Sequence, residues 1–320
     1  MTRRQRLEVV VRWLGIAAAV GMLIVLVMGA TVTDTGSAQG CLRSWPLCRG
    51  QFIPEFAVST FIELSHRAVT GVEGILIVLL AIGALVLYGR ERPVQVLTPL
   101  MVGSLLLQAG MGAAAVMWPQ QPVVLALHFG ISLIALASAT LTALYVGWPR
   151  TMRGLQTVRR GLQVGTWGFL VYLYLLIYTG AYIRHAGAGA ACLSWPVCGI
   201  SAPGAAWSAV AANFVHRGAA ALAVLFALGL AVGYRRLQPV RTDLFDGGLF
   251  LVAALLAQAA AGAFLVATRL GLFGELLHAA LSGVAFTTAA YLCLRVALGQ
   301  WRTVQVRQPT PTPATPPIPV

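Results

Sequence analysis

At eight places along the chain, apolar residues run almost unbroken for about 20 positions or more, long enough as helix to cross a hydrocarbon core about 30 Å thick. The runs lie near 11–32, 60–88, 93–116, 122–148, 161–184, 207–234, 244–268 and 271–297, and they predict eight transmembrane helices. Hydrophobic residues fill 58% of the 320 positions and charged residues 10%, too little polar material to cover a water-facing surface, so an ordinary soluble domain is excluded. The expected fold class is an all-α integral membrane protein. Beyond Trp301 the sequence turns to proline and threonine without apolar periodicity, and 299–320 reads as a disordered tail.

Charge orients these helices. The net charge of +13 contains no lysine, and a basic excess of this size in a soluble chain would suggest nucleic acid. Its placement says otherwise. Arg3, Arg4, Arg6, Arg90, Arg92, Arg150, Arg153, Arg159, Arg160, Arg235, Arg236, Arg241, Arg302 and Arg307 precede helix 1 or follow an even-numbered helix, the positive-inside pattern. Both termini are therefore expected in the cytoplasm of a multi-pass cell-membrane protein, with the loops after helices 1, 3, 5 and 7 outside and no nucleic-acid partner. The first run follows basic residues as a signal peptide would, but its outer end recurs later in the chain, so it is expected to be retained.

Overlaying 11–148 on 161–297 at an offset of 150 brings Ser44, Trp45, Pro46 and Cys48 onto Ser194, Trp195, Pro196 and Cys198. The register then holds through His66 and Arg67 on His216 and Arg217, Gln108 and Gly112 on Gln258 and Gly262, and His128 on His278. Cys41 and Cys192 match at 151, as do Gly29 and Gly180. A duplicated four-helix unit explains matches spread so widely. Four being even, the copies are expected to be parallel, two four-helix bundles related by an axis along the membrane normal. The organisation expected is 1–148 as the first repeat, 149–160 as a cytoplasmic linker, 161–298 as the second repeat and 299–320 as the tail.

His66, His128, His216 and His278 sit in helices 2, 4, 6 and 8, each about 9–14 Å below the outer surface by helical rise. An ionisable side chain at such a depth is a functional candidate. A lone histidine would as readily serve an inter-helix hydrogen bond; two level histidines per bundle, in both bundles, point to axial ligation of haem iron. Small residues in "QAGMGAA" and "QAAAGAF" leave room for a macrocycle, though tight helix packing uses them too. Zinc is the weaker choice, because no ligand spacing such as H-E-x-x-H occurs. His185, aligned with Asp34, reads as a loop or rim residue.

The halves differ where it matters. Glu63 lies one turn outside His66 on the same face, and its counterpart is Asn213, which cannot exchange a proton. That contrast suggests chemistry in the N-terminal half and a permanent cofactor in the C-terminal half. Glu73, opposite Ala223, is either a proton relay or a buried carboxyl bonded to a neighbouring helix. Glu275, three residues before His278, is a supporting or rim group. Arg67 and Arg217 either meet haem propionates or snorkel to the interface. Cys293 reads as a small buried apolar residue.

Together, "DTGSAQGCLRSWPLC", "IELSHR", "ACLSWPVC", "FVHR" and the histidines of helices 4 and 8 resemble the haem A synthase family, over roughly 11–298. The two cysteine pairs are similar to the form found in Gram-positive and related bacteria. The resemblance implies oxidation of the C8 methyl of haem O to a formyl group by two successive hydroxylations and loss of water, for assembly of cytochrome aa3-type oxidases. It implies haem O as substrate between His66 and His128, a haem b cofactor between His216 and His278, and Glu63 as the catalytic carboxylate. Expected partners are membrane lipid, an unidentified electron acceptor and a haem O synthase (protohaem farnesyltransferase).

Two other readings stay open. One is a dihaem electron-transfer cytochrome, which accounts for the histidines but not for Glu63 against Asn213. The other is a membrane thiol oxidoreductase, which leaves the histidines unused. Cys41 with Cys48 and Cys192 with Cys198, on the outer face, close short loops and read as disulfide staples over each haem slot, with Trp45 and Trp195 at the interface. For Cys41 and Cys48 a redox role in the reaction is the alternative.

Overall fold

The structure, a computed structural model, describes residues 1–306 except 53, 119–120, 149–150 and 153–154. Eight helices carry the chain: α1 (Arg3–Asp34), α2 (Val58–Tyr88), α3 (Arg92–Met117), α4 (Pro122–Gly147), α5 (Arg160–His185), α6 (Trp207–Arg235), α7 (Thr242–Ala267) and α8 (Leu272–Val306). All eight are long and apolar enough to cross a membrane. Among the described residues no strand forms, only two isolated bridges in the cysteine loops. The chain is a multi-pass α-helical membrane protein.

Helix ends follow local chemistry. Thr2 accepts from the Gln5 amide while the Gln5 side chain accepts from the Thr2 amide, and this capping box starts α1 at Arg3, eight residues before the apolar run alone indicates. Pro93 and Pro122 open α3 and α4 in the first turn, where a missing N–H costs nothing. At its far end α8 continues to Val306, so 299–306 is helix where a disordered tail is expected from the sequence; the rest of that expectation, 307–320, lies outside the described residues. Buried hydroxyls return their protons to the carbonyl one turn back, as Ser132 does to His128 at 2.9 Å and Thr142 to Ser138 at 2.8 Å, which satisfies them without breaking the helix.

Packing arranges the helices in two rings. In the first, α1 touches α2 and α4, and α3 touches α2 and α4; in the second, α5 touches α6 and α8, and α7 touches α6 and α8. The rings meet through α1, α4, α5 and α8. Burial agrees: 72% of the most apolar stretch of α8 and 50% of that of α4 are enclosed, against 17–33% elsewhere, so these two form the centre and the others keep a lipid-facing side. Small residues permit the close crossings. A Cβ on Gly15 would stand 2.8 Å from Cβ of Ala143 in α4, and one on Gly283 of α8 would stand 2.9 Å from Leu136.

Away from the cysteine loops, the connection between the halves is held by buried charge. Arg241 and Arg295 both grip Asp243, at 2.9 and 2.8 Å. Their remaining donors reach the carbonyls of Gln156 and Thr151 in the linker, at 2.6 and 2.8 Å. Met152 and Val158 of that linker are buried against the core.

Candidate haem sites beneath the cysteine loops

Each of the four histidines faces a glycine on the preceding helix. A Cβ on Gly29 of α1 would lie 3.4 Å from Cε1 of His66, and one on Gly112 of α3 would lie 3.6 Å from that of His128. On Gly180 of α5 it would lie 2.8 Å from His216, and on Gly262 of α7 3.3 Å from His278. At Gly180, and more narrowly at Gly262, absence of a side chain is what makes room for the imidazole, while at Gly29 and Gly112 a Cβ would meet the ring at ordinary contact distance. His66 and His128 stand on α2 and α4 of the first ring, and His216 and His278, on α6 and α8, line one cavity in the second.

His216 and His278 line a cavity of about 570 Å³ together with Gly180, Gly262, Gln258 and Asn213. That size falls within the range of small-molecule and cofactor pockets, roughly 300–1,000 Å³. All four histidines are half-buried, yet Nδ1 of His66, His128 and His278 is enclosed and without a partner among the described residues, so the accessible surface lies elsewhere on those rings. His216 differs. Its Nδ1 lies 3.1 Å from Oγ1 of Thr179, whose own proton goes to the Leu176 carbonyl at 2.7 Å. In the tautomer with the proton on Nδ1 the hydroxyl accepts from the ring, and Nε2 keeps a lone pair for a metal.

The donor set fits haem. No three His, Cys, Asp or Glu side chains among the described residues converge to hold a bare ion. A haem iron needs only two axial ligands, because the ring supplies four nitrogens. Paired imidazoles, glycines beside them and a largely apolar cavity supply what remains.

Glu63 lies buried above the first pair. Its Oε2 accepts from the Cys41 amide at 2.8 Å, and its Oε1 pairs with the Arg67 guanidinium. Arg67 also donates to the carbonyls of Ser44 and Pro46, at 3.0 and 3.3 Å. In the other half Asn213 donates to the carbonyls of Ala188 and Ala209, at 2.8 and 2.9 Å, and lines the cavity. Arg217 reaches the carbonyls of Ser194 and Pro196 at 2.5 and 3.4 Å. Both arginines thus tie helix to cysteine loop, a partner the sequence did not indicate.

Both cysteine pairs are disulfides, with Cα atoms 4.7 Å apart for Cys41–Cys48 and 5.1 Å for Cys192–Cys198. Trp45 and Trp195 are exposed, and Trp195 with its loop borders the cavity. Cys293 is buried and unpaired, as expected of a small apolar residue. His185 is the last residue of α5 and half-buried, at the rim rather than in the loop, one of the two places the sequence allows it.

One important residue went unread in the sequence. Arg184 of α5 crosses to the first ring, donating to Asp34 at 2.5 and 2.9 Å and to the Ala30 carbonyl at 3.0 Å, with Glu275 at 3.7 Å. Arg184 and Glu275 also line the cavity. The available signal was an arginine at the cysteine-loop end of an odd-numbered helix, against the positive-inside pattern. Glu275 therefore takes part in a charge cluster that joins the halves.

Fold and site together define a class: a polytopic helical membrane protein with two half-buried histidine pairs, each below a disulfide-closed loop. A family model described as "Cytochrome oxidase assembly protein" matches residues 53–290. Proteins named "Heme A synthase" are similar over most of their length. That of Symbiobacterium thermophilum is 39% identical over 292 residues, 88% of this chain and 94% of its own. That of Geobacillus kaustophilus is 39% identical over 290 residues, 88% and 90%. That of Bacillus cereus is 38% identical over 308 residues, 94% and 97%. The chain belongs to the haem A synthase family and is an enzyme.

Proposed function

We propose that the protein oxidises the C8 methyl of haem O to a formyl group by two successive hydroxylations followed by loss of water. Haem O is taken between His66 and His128, and haem b is held between His216 and His278. The observation that carries this division is the buried Glu63 carboxylate, held by the Cys41 amide and Arg67, against an amide at Asn213. Thr179 supports it too: an oriented ligand suits a resident cofactor, and only His216 among the four has this hydroxyl partner on Nδ1.

In this reading Glu63 sits one turn above the iron ligand and meets the protons and positive charge that develop as the methyl carbon loses electrons. Arg67 and the Cys41–Cys48 loop fix its orientation and cover it from water. Haem b supplies one-electron relay toward an acceptor. The arginine pattern puts both termini in the cytoplasm and the cysteine loops outside. Haem O synthase is the expected supplier of substrate, and cytochrome aa3-type oxidase the destination of product.

The test is co-expression with a source of haem O, followed by chromatography of the extracted haems. Wild-type protein yields haem A. Glu63→Gln yields none and keeps its haem b. Wild-type protein that yields only haem b refutes the proposal in favour of a dihaem electron-transfer cytochrome.

A further inference from the structure

Glu73 of α2 is 2% exposed, and its Oε1 has no partner among the described residues. A buried carboxyl oxygen left unpaired is costly, and more so at membrane depth. Glu73 lies seven residues beyond His66, two turns on the same face and about 10 Å further from the cysteine loops. Because Cβ tilts toward the helix N-terminus, its carboxyl leans back toward the histidine. Both residues meet α1 at glycine: His66 at Gly29 and Glu73 at Gly21, where any Cβ would collide with the carboxyl.

The second half lacks this acid. Ala223 stands in register with Glu73 and lines the 570 Å³ cavity. Tyr172 stands where Gly21 stands, on the 151 offset that relates Gly29 to Gly180, and its hydroxyl is satisfied by the Ala219 carbonyl at 2.7 Å. The haem b cavity is therefore lined by alanine at this level, while the matching position of the first ring carries a carboxyl with one unpaired oxygen. Haem O differs from haem b in one substituent, a hydroxyethylfarnesyl chain in place of a vinyl group. Its hydroxyl is the polar group a carboxyl at that position can pair with.

We propose that Glu73 binds the hydroxyl of the hydroxyethylfarnesyl chain and thereby selects haem O over haem b for the first site. The assignment rests on the reading that this site takes haem O. A site built to pair a substrate hydroxyl rejects the analogue lacking it, because its own polar group is then stranded.

The experiment uses full-length protein in detergent carrying haem b in its second half. It is titrated separately with haem O, protohaem and dehydrated haem O, which keeps the farnesyl chain without the hydroxyl. Wild type is expected to prefer haem O over dehydrated haem O by about tenfold, the value of one hydrogen bond. Glu73→Ala removes that preference and raises the affinity for protohaem and for dehydrated haem O, which no longer strand a carboxyl, while Glu73→Gln, which keeps donor and acceptor, retains most of it. Retained haem b in each variant reports the fold, and the dehydrated ligand tests the hydroxyl on wild type alone. Preference for haem O over both analogues that survives in Glu73→Ala overturns the assignment of Glu73 only. Wild type that favours haem O over neither analogue overturns the haem O reading, and this assignment with it.

Discussion

Replacing Gly180 by alanine tests the proposed haem b site with a single methyl group. The new Cβ would stand 2.8 Å from Cε1 and 3.2 Å from Nε2 of His216, where an ordinary contact begins at 3.4 Å. The ring must retreat by about 0.6 Å (3.4 − 2.8). It cannot do so freely, because Thr179 holds its Nδ1 at 3.1 Å and the iron would hold its Nε2. Overpacking of this kind costs about 1–3 kcal/mol, or roughly 5- to 150-fold in haem b affinity. Gly262→Ala provides the comparison within the same cavity, since its Cβ would meet His278 at 3.3 Å and demand about 0.1 Å. The assay is the haem b to protein ratio after washing in detergent, read with the low-spin iron signal of paired imidazoles. Gly180→Ala that keeps haem b like wild type, or Gly262→Ala that loses more, refutes the placement of iron between these two rings.

Three further outcomes follow from contacts elsewhere. Arg184→Gln strands the Asp34 carboxylate at the junction of the rings; with side chains 18% and 12% exposed the loss is about 1–3 kcal/mol, seen as a lower thermal midpoint in detergent. Asp243→Asn leaves Arg241 and Arg295, both at least 94% buried, without their counter-ion, which costs about 3–5 kcal/mol and opens the 155–160 linker to protease while haem A formation by the surviving folded fraction continues. Loss of either disulfide lowers stability by about 2.5 kcal/mol for loops this short; only Cys41→Ala with Cys48→Ala also reduces haem A, since the Cys41 amide aligns Glu63, and equal haem A from both double variants would count against that coupling.

The sequence carried the helices because hydrocarbon leaves the backbone no choice but to bond to itself, so apolar length reads directly as a span. It missed the start of α1, where a capping box rather than lipid decides, and the extension of α8 to Val306. The histidine pairs were legible because an ionisable residue in an apolar run stands out and the second copy fixed the register. What the histidines face was not. That Gly29, Gly112, Gly180 and Gly262 each meet a histidine depends on helix rotation, and small residues give that no signature. Arg67 and Arg217 were assigned to propionates or the interface for the same reason: a carbonyl partner in a loop has no side chain to announce it. Nor could Thr179 be found, since its hydroxyl becomes an acceptor only once Leu176 takes its proton.

The two rings of four helices pack with matching neighbours, yet the first carries Glu63 and Glu73 where the second carries Asn213 and Ala223. Two identical four-helix chains paired about a twofold axis would place every carboxylate twice, once beside each haem, and no mutation of such a dimer could put an acid at one site alone. Joining the two rings through a linker clamped by Arg241 and Arg295 lifts that constraint. Each position is then free to vary independently of its mate, and symmetry breaking, unavailable to a homodimer, becomes as simple as a point mutation.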